Sequence, residues 1–277
     1  REGAPDIMSF GAKAVRLRAE KQFDAALSLL HHALDRARET NAPSVQVENL
    51  LGIIAQVYEV DLKDSHRAAD YYRQLLAQHS IRAVRVKLIA LYRHDGRWED
   101  LVALLTTSEP GDDAEVMERR RADLAMAGAL CEVELASPGR AARIFERIVA
   151  HDPNDLATLE SLCRVYDALG RHEDVAATAQ KIVNVIEGAG PDNDAADVYR
   201  QHAANIWEFK LARYDRALAL YEESLEREPR NELVASAVAR LLEKTGASPE
   251  RRVQALLRHR ELASDPRSRR ATELKLG

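Results

Sequence analysis

Trp207-Glu208-Phe209-Lys210-Leu211, followed five residues on by Arg216-Ala217-Leu218-Ala219-Leu220-Tyr221, is the stretch that decides the fold, because it occurs three times. Tyr58-Glu59-Val60-Asp61-Leu62 leads in the same way into Arg67-Ala68-Ala69-Asp70-Tyr71-Tyr72. Cys131-Glu132-Val133-Glu134-Leu135 leads into Arg140-Ala141-Ala142-Arg143-Ile144-Phe145. The Arg-Ala steps fall at 67, 140 and 216, spaced by 73 and 76 residues. A second segment alternates with the first. Val165-Tyr166-Asp167-Ala168-Leu169-Gly170-Arg171-His172-Glu173-Asp174-Val175 matches Leu91-Tyr92-Arg93-His94-Asp95-Gly96-Arg97-Trp98-Glu99-Asp100-Leu101, and a weaker copy surrounds Gly246. Two related repeats of about 37 residues therefore alternate along the chain, and a period of this size marks a stacked-repeat architecture.

Each repeat predicts two amphipathic helices. Leu159, Leu162, Cys163 and Tyr166 recur at helical spacing, as do Ala141, Ile144 and Ile148. Gly96, Gly170 and Gly246 fall between the two stripes of a repeat, where a positive φ costs glycine least. Asp152-Pro153, Glu109-Pro110, Gly190-Pro191, Glu228-Pro229 and Asp265-Pro266 separate one repeat from the next, since proline disfavours helix in the residue before it and starts a helix well. Composition agrees. Among 277 residues there are 12 Gly and 9 Pro, only 5% are aromatic, and 46% are apolar. That is the composition of a helical protein with material for a core.

These residues resemble the tetratricopeptide repeat. The first repeat carries the family's small and bulky positions as Phe10, Ala14, Leu17, Ala26, Leu30 and Ala33; the fifth carries them as Cys163, Tyr166, Gly170, Val175 and Ile182. The repeats containing Ala68, Ala141 and Ala217 hold about one extra residue in the turn between their helices. The resemblance implies an all-α, right-handed α-solenoid of stacked helix-turn-helix repeats. A single array over 1–277 is expected, with repeats near 6–42, 43–80, 81–110, 111–152, 153–190, 191–228 and 229–264 and a partial helix at 266–276. The second helix of the repeat at 81–110 should be a stub ending near Thr106-Thr107-Ser108.

The function classes narrow by exclusion. A net charge of -5 lacks the basic excess of a general nucleic-acid binder. There is no Gly-Lys-Ser or Gly-Lys-Thr phosphate loop, no Gly-x-Ser-x-Gly nucleophile elbow and no His-Glu-x-x-His. Neighbouring His31 and His32 point about 100° apart on a helix and do not chelate one ion. Catalytic residues, cofactors and metal ligands are therefore expected to be none. Cys131 and Cys163 lie in apolar helical runs and read as buried, reduced thiols. No apolar run approaches the ~18 residues of a membrane span, so a cytoplasmic protein is expected, or a periplasmic one if a leader was removed. Residues 251–277 hold eight basic against three acidic side chains. Arg267, Arg269 and Arg270 align with Glu118-Arg119-Arg120-Arg121 and read as the solvated start of another repeat. The chain ends at Glu273-Leu274-Lys275-Leu276-Gly277 without a polar capping helix, so further repeats or a partner are expected on this end.

The expected function is a non-catalytic scaffold that binds a protein or peptide. The alternative is a regulatory or substrate-recruiting segment of a larger enzyme or signalling protein. The resemblance places the groove on the first helix of each repeat. Carried over, it gives Gly11, Val15 and Arg18; Gly52 and Gln56; Val86, Ala90 and Arg93; then Ala122, Ala125 and Ala129. Glu160, Arg164 and Asp167 follow, then Gln201, Asn205 and Glu208, and last Ser236 and Arg240. The Lys and Asn pattern of the family's chaperone-tail binders is absent. The N-terminal half of this surface is small and apolar, which suits an amphipathic helix or an extended apolar segment, or serves only close helix packing. Arg164, Asn205 and Arg240 would add polar specificity.

Overall fold

The structure is a computed structural model that describes residues 7–78, 81–107, 111, 113–190 and 194–276. Among these residues there are fifteen α-helices and no strand. The first helices of the repeats are α1 (Ile7–Ala19), α3 (Ser44–Gln56), α5 (Arg82–His94), α7 (Ala114–Val133), α9 (Leu156–Ala168), α11 (Asp194–Asn205) and α13 (Glu232–Lys244). The second helices are α2 (Phe23–Glu39), α4 (Ser65–Gln78), α6 (Trp98–Thr106), α8 (Pro138–His151), α10 (His172–Ala189), α12 (Tyr214–Arg227) and α14 (Pro249–Leu262). The last helix, α15, is Pro266–Leu276. The chain divides into two compact units, Arg1–Asp123 and Leu124–Gly277. In the first unit α1 to α6 pack each on the next in order, and in the second unit α8 to α15 do the same.

Of the proline signals, Pro266 opens α15, whereas Pro153 and Pro229 lie in the turns just before α9 and α13. Pro138 and Pro249 open α8 and α14, where their missing N–H costs nothing. Asp155, Asn231 and Ser248 cap α9, α13 and α14 by accepting from Thr158, Val234 and Arg251 backbone N–H groups. Glu109-Pro110 and Pro191 lie outside the described residues.

Two kinds of turn explain the alternation. At Gly96, Gly170 and Gly246, φ is 65°, 68° and 67°. The next residue donates back five positions, Arg97 to Tyr92, Arg171 to Tyr166 and Ala247 to Leu242. This is a Schellman closure, and glycine tolerates its left-handed residue. The first repeat closes in the same way, Gln22 to Leu17, with Lys21 as its left-handed residue, but in the second, fourth and sixth repeats the closing bond spans six: Asp64 to Tyr58, Ser137 to Cys131 and Arg213 to Trp207, at 2.8, 2.7 and 2.8 Å. The extra residue is absorbed as a π-helical turn over Val57–Asp61 and Ile206–Lys210. The left-handed position then falls on Lys63, Ala136 and Ala212, at φ 56°, 44° and 51°. The tripled motif of the sequence is the signature of this wider turn.

The small positions sit where helices approach. Ala14, Ala26, Leu30 and Ala33 are buried, as are Cys163, Tyr166, Val175 and Ile182, while Phe10 and Leu17 are half-buried. Ala55, Gly128 and Ala204 occupy one position of the three wide-turn repeats. Opposite Gly128 a Cβ would stand 2.5 Å from the Phe145 ring, so a side chain here would have to push that ring aside.

Candidate functional site

The first-helix face is tied together by carboxylates from the tripled motif. Glu132, next to Cys131, accepts from Arg164 of α9 at 2.6 and 3.0 Å. Glu208, next to Trp207, accepts from Arg240 of α13 at 2.8 and 2.9 Å. Its side chain is fully buried, and the Lys244 ammonium lies 3.7 Å away. A third link joins Glu243 to Lys275 of α15 at 2.8 Å. All three span 32 residues. In the first unit Glu59, next to Tyr58, accepts from Tyr72 at 2.6 Å and from Lys87 of α5 at 2.8 Å. Burial pushes the Glu59 carboxyl up, but the bonds from Lys87 and Tyr72 outweigh it and hold the group below its usual range. Burial and the Glu59 bond push the Tyr72 hydroxyl up to about 12.

Several residues assigned to a partner groove are thus engaged within the chain. Arg164 and Arg240 hold the carboxylates just described, and the Arg240 guanidinium also lies 5.5 Å from the Phe209 ring centroid. Asn205 accepts from the Tyr221 hydroxyl at 2.7 Å. Arg18 bonds Asp61 at 2.5 Å, joining α1 to the turn after α3. The apolar assignments remain at the surface: Val15 is 56% and Val86 59% exposed, and Gln56, Ala90, Arg93 and Ala129 are exposed too. Ala125 is half-buried. The carboxylates Glu59, Glu132 and Glu208 are identical in the three copies of the motif, and of these the groove assignment includes only Glu208.

Two further polar clusters hold helices together. Arg200 of α11, 2% exposed, bonds Asp197 and Glu187. His31 of α2 pairs with the Tyr71 hydroxyl at 2.8 Å and stacks with Tyr71 and Tyr58; burial keeps its imidazole pKa below the usual value. Cys131 and Cys163 are buried thiols outside any disulfide, and burial pushes Cys163 up to about 11, so it stays protonated at neutral pH. Among the described residues no group of three His, Cys, Asp or Glu side chains converges as a metal site, and no helix is long and apolar enough to cross a membrane.

No family model and no curated protein matches the chain. It is similar to solved structures that include the TPR2AB-domain:pHSP90 complex of yeast Sti1, at 16% identity over 87% of this chain and 86% of that chain, TM-score 0.31. MamA is similar at 12% identity over 66% and 93%, TM-score 0.38. YrrB, a TPR protein with an unusual peptide-binding site, is similar at 14% identity over 68% and 90%, TM-score 0.36. Within the chain itself, paired helices, small residues buried at their closest approach and a left-handed residue closing each turn are the features that the resemblance to the tetratricopeptide repeat implies.

Proposed function

We propose that the protein is a non-catalytic interaction scaffold, and that the first-helix face of α1, α3 and α5 binds an amphipathic helix or an extended apolar segment of a partner protein. The observation that carries this reading is the exposure of Val15, Val86 and Ala90 on helices already fixed side by side by the Arg18–Asp61 and Glu59–Lys87 links. Links of this kind hold the helices before a partner arrives, so docking orders little of the scaffold. Apolar side chains exposed on such a face gain by leaving water. In the second unit the matching positions of α9 and α13 carry Arg164 and Arg240, which are engaged by Glu132 and Glu208.

A displayed library of peptides, selected on the full chain, tests the proposal. Selected peptides should carry apolar residues at spacings of three and four or of two. Ala90→Glu and Val86→Glu should each abolish their binding and leave the helical circular dichroism unchanged. If both variants keep full affinity, the binding surface lies elsewhere.

A further inference from the structure

The second helix of the third repeat is too short to cover its neighbours. α6 has nine residues, against fourteen to eighteen in the other second helices. Beside it lies a hollow of 530 Å³ within the first unit, between α4, α5, α6 and the start of α7. Sites for small molecules run from ~300 to ~1,000 Å³. The floor is apolar, built from Leu76, Leu88 and Leu104.

Four guanidinium groups line this hollow, and Asp100 is the one carboxylate among its described lining residues. They fall into two kinds. Arg85, 7% exposed, donates to Asp123 at 2.6 Å, and Arg119 bonds Glu115 at 2.5 Å; these are held. Arg73 and Arg82 are held loosely. Arg73 reaches Asp70 at 3.4 Å and Asp100 at 3.8 Å, and Arg82 reaches Glu115 at 3.4 Å. Their side chains are 57% and 67% exposed, so water competes for these pairs and each contributes little. An incoming carboxylate could take both groups without breaking a buried pair. Guanidinium forks match carboxylate geometry.

We propose that this hollow binds a small amphipathic organic anion, with its apolar body on the leucine floor and its carboxylate between Arg73 and Arg82. The site is separate from the first-helix face, because the lining residues of α5 are Arg82, Arg85, Leu88 and Tyr92 and not Val86, Ala90 or Arg93. It therefore stands or falls independently of the proposed partner surface.

Calorimetric titration of the full chain with octanoate tests it, with octylammonium and acetate as matched probes. Octanoate should bind. Octylammonium, with the same body and the opposite charge, and acetate, with the charge and no body, should each bind at least about tenfold more weakly. Ala103→Trp fills the hollow from an exposed position and should abolish binding with helicity retained. Arg73→Glu combined with Arg82→Glu should weaken octanoate at least about tenfold. The assignment is overturned if octanoate does not bind, if octylammonium binds equally well, or if Ala103→Trp leaves the affinity unchanged. Capture of acidic peptides without binding of octanoate would also overturn it, in favour of a peptide site.

Discussion

In α9, α13 and α15 the residue that faces the preceding repeat is a cation, Arg164, Arg240 or Lys275, and each holds a carboxylate 32 residues earlier in the chain. At the corresponding positions of α1, α3 and α5 stand Val15, Gln56 and Ala90, all exposed. The two regions share a backbone plan and spend its most exposed position differently. In α9, α13 and α15 that position stabilises the contact between repeats, while in α7 it is the exposed Ala129; in the first unit, Lys87 does the same work for α3 and α5 from one turn earlier and leaves Ala90 at the surface. A polar residue on the face of a repeat is thus no sign of a partner until the burial of its own contacts is known.

The comparison makes its largest claim at Glu208. Arg240→Ala leaves this fully buried carboxylate with the Lys244 ammonium 3.7 Å away as its remaining ionic partner. Breaking a buried pair costs about 3–5 kcal/mol, and the Lys244 charge with the part-exposed Arg240 brings the expected loss to about 2–3 kcal/mol. Ala90→Glu, at an exposed site of the first unit, should change stability by less than ~0.5 kcal/mol. Urea unfolding of both variants measures the difference. Equal losses would erase the distinction between the two regions.

Gly128 sets the next largest effect, and its readout is packing without charge. Alanine in place of glycine inside a helix gains ~1 kcal/mol of propensity. Here the new methyl would stand 2.5 Å from the buried Phe145 ring, and overpacking costs about 1–3 kcal/mol. Gly128→Ala should therefore destabilise the second unit by about 1 kcal/mol. The double variant with Phe145→Leu should recover part of that loss, whereas additive losses would mean that the ring is not the obstacle.

Most of the fold was legible because it was written repeatedly. The 73- and 76-residue spacings gave the helix pairs, the glycines gave the tight turns, and the run ending at Thr106-Thr107 announced the short α6. The π turns were legible only as one surplus residue. A turn of that kind is identified by which carbonyl is reached, and Tyr58, Cys131 and Trp207 do not reveal that by their chemistry. The candidate surface was less legible. Sequence spacing places Arg164 and Arg240 on the first-helix face, but it does not show that Glu132 and Glu208 from the neighbouring repeat meet them. The short α6 was legible, but sequence spacing does not show that guanidinium groups of α4, α5 and α7 meet beside it.

The wide turn gives a smaller, favourable effect. Ala212 is held at φ 51°, a conformation that costs a non-glycine residue roughly 1–2 kcal/mol. Glycine removes that cost and adds back some unfolded-chain entropy. Ala212→Gly should stabilise the protein by up to ~1 kcal/mol, raising the midpoint of thermal unfolding. A loss of stability would mean that the Ala212 methyl packs to advantage in the turn.

The smallest expected effect is the sharpest test of what the comparison rests on. Lys275 and Glu243 repeat the geometry of Arg240 and Glu208 at the same 32-residue spacing, with an N–O distance of 2.8 Å in each. What differs is water. Glu208 has no exposed side-chain surface, whereas Glu243 and Lys275 are 59% and 53% exposed. An exposed pair gains little Coulomb energy, is screened by salt and gives up side-chain entropy to hold its shape. Lys275→Ala should therefore leave the unfolding midpoint unchanged, at low and at high salt, while Arg240→Ala lowers it at both. If the two substitutions cost the same, spacing and not burial would set the worth of these links, and every carboxylate–base step along the first helices would have to be counted as equally structural.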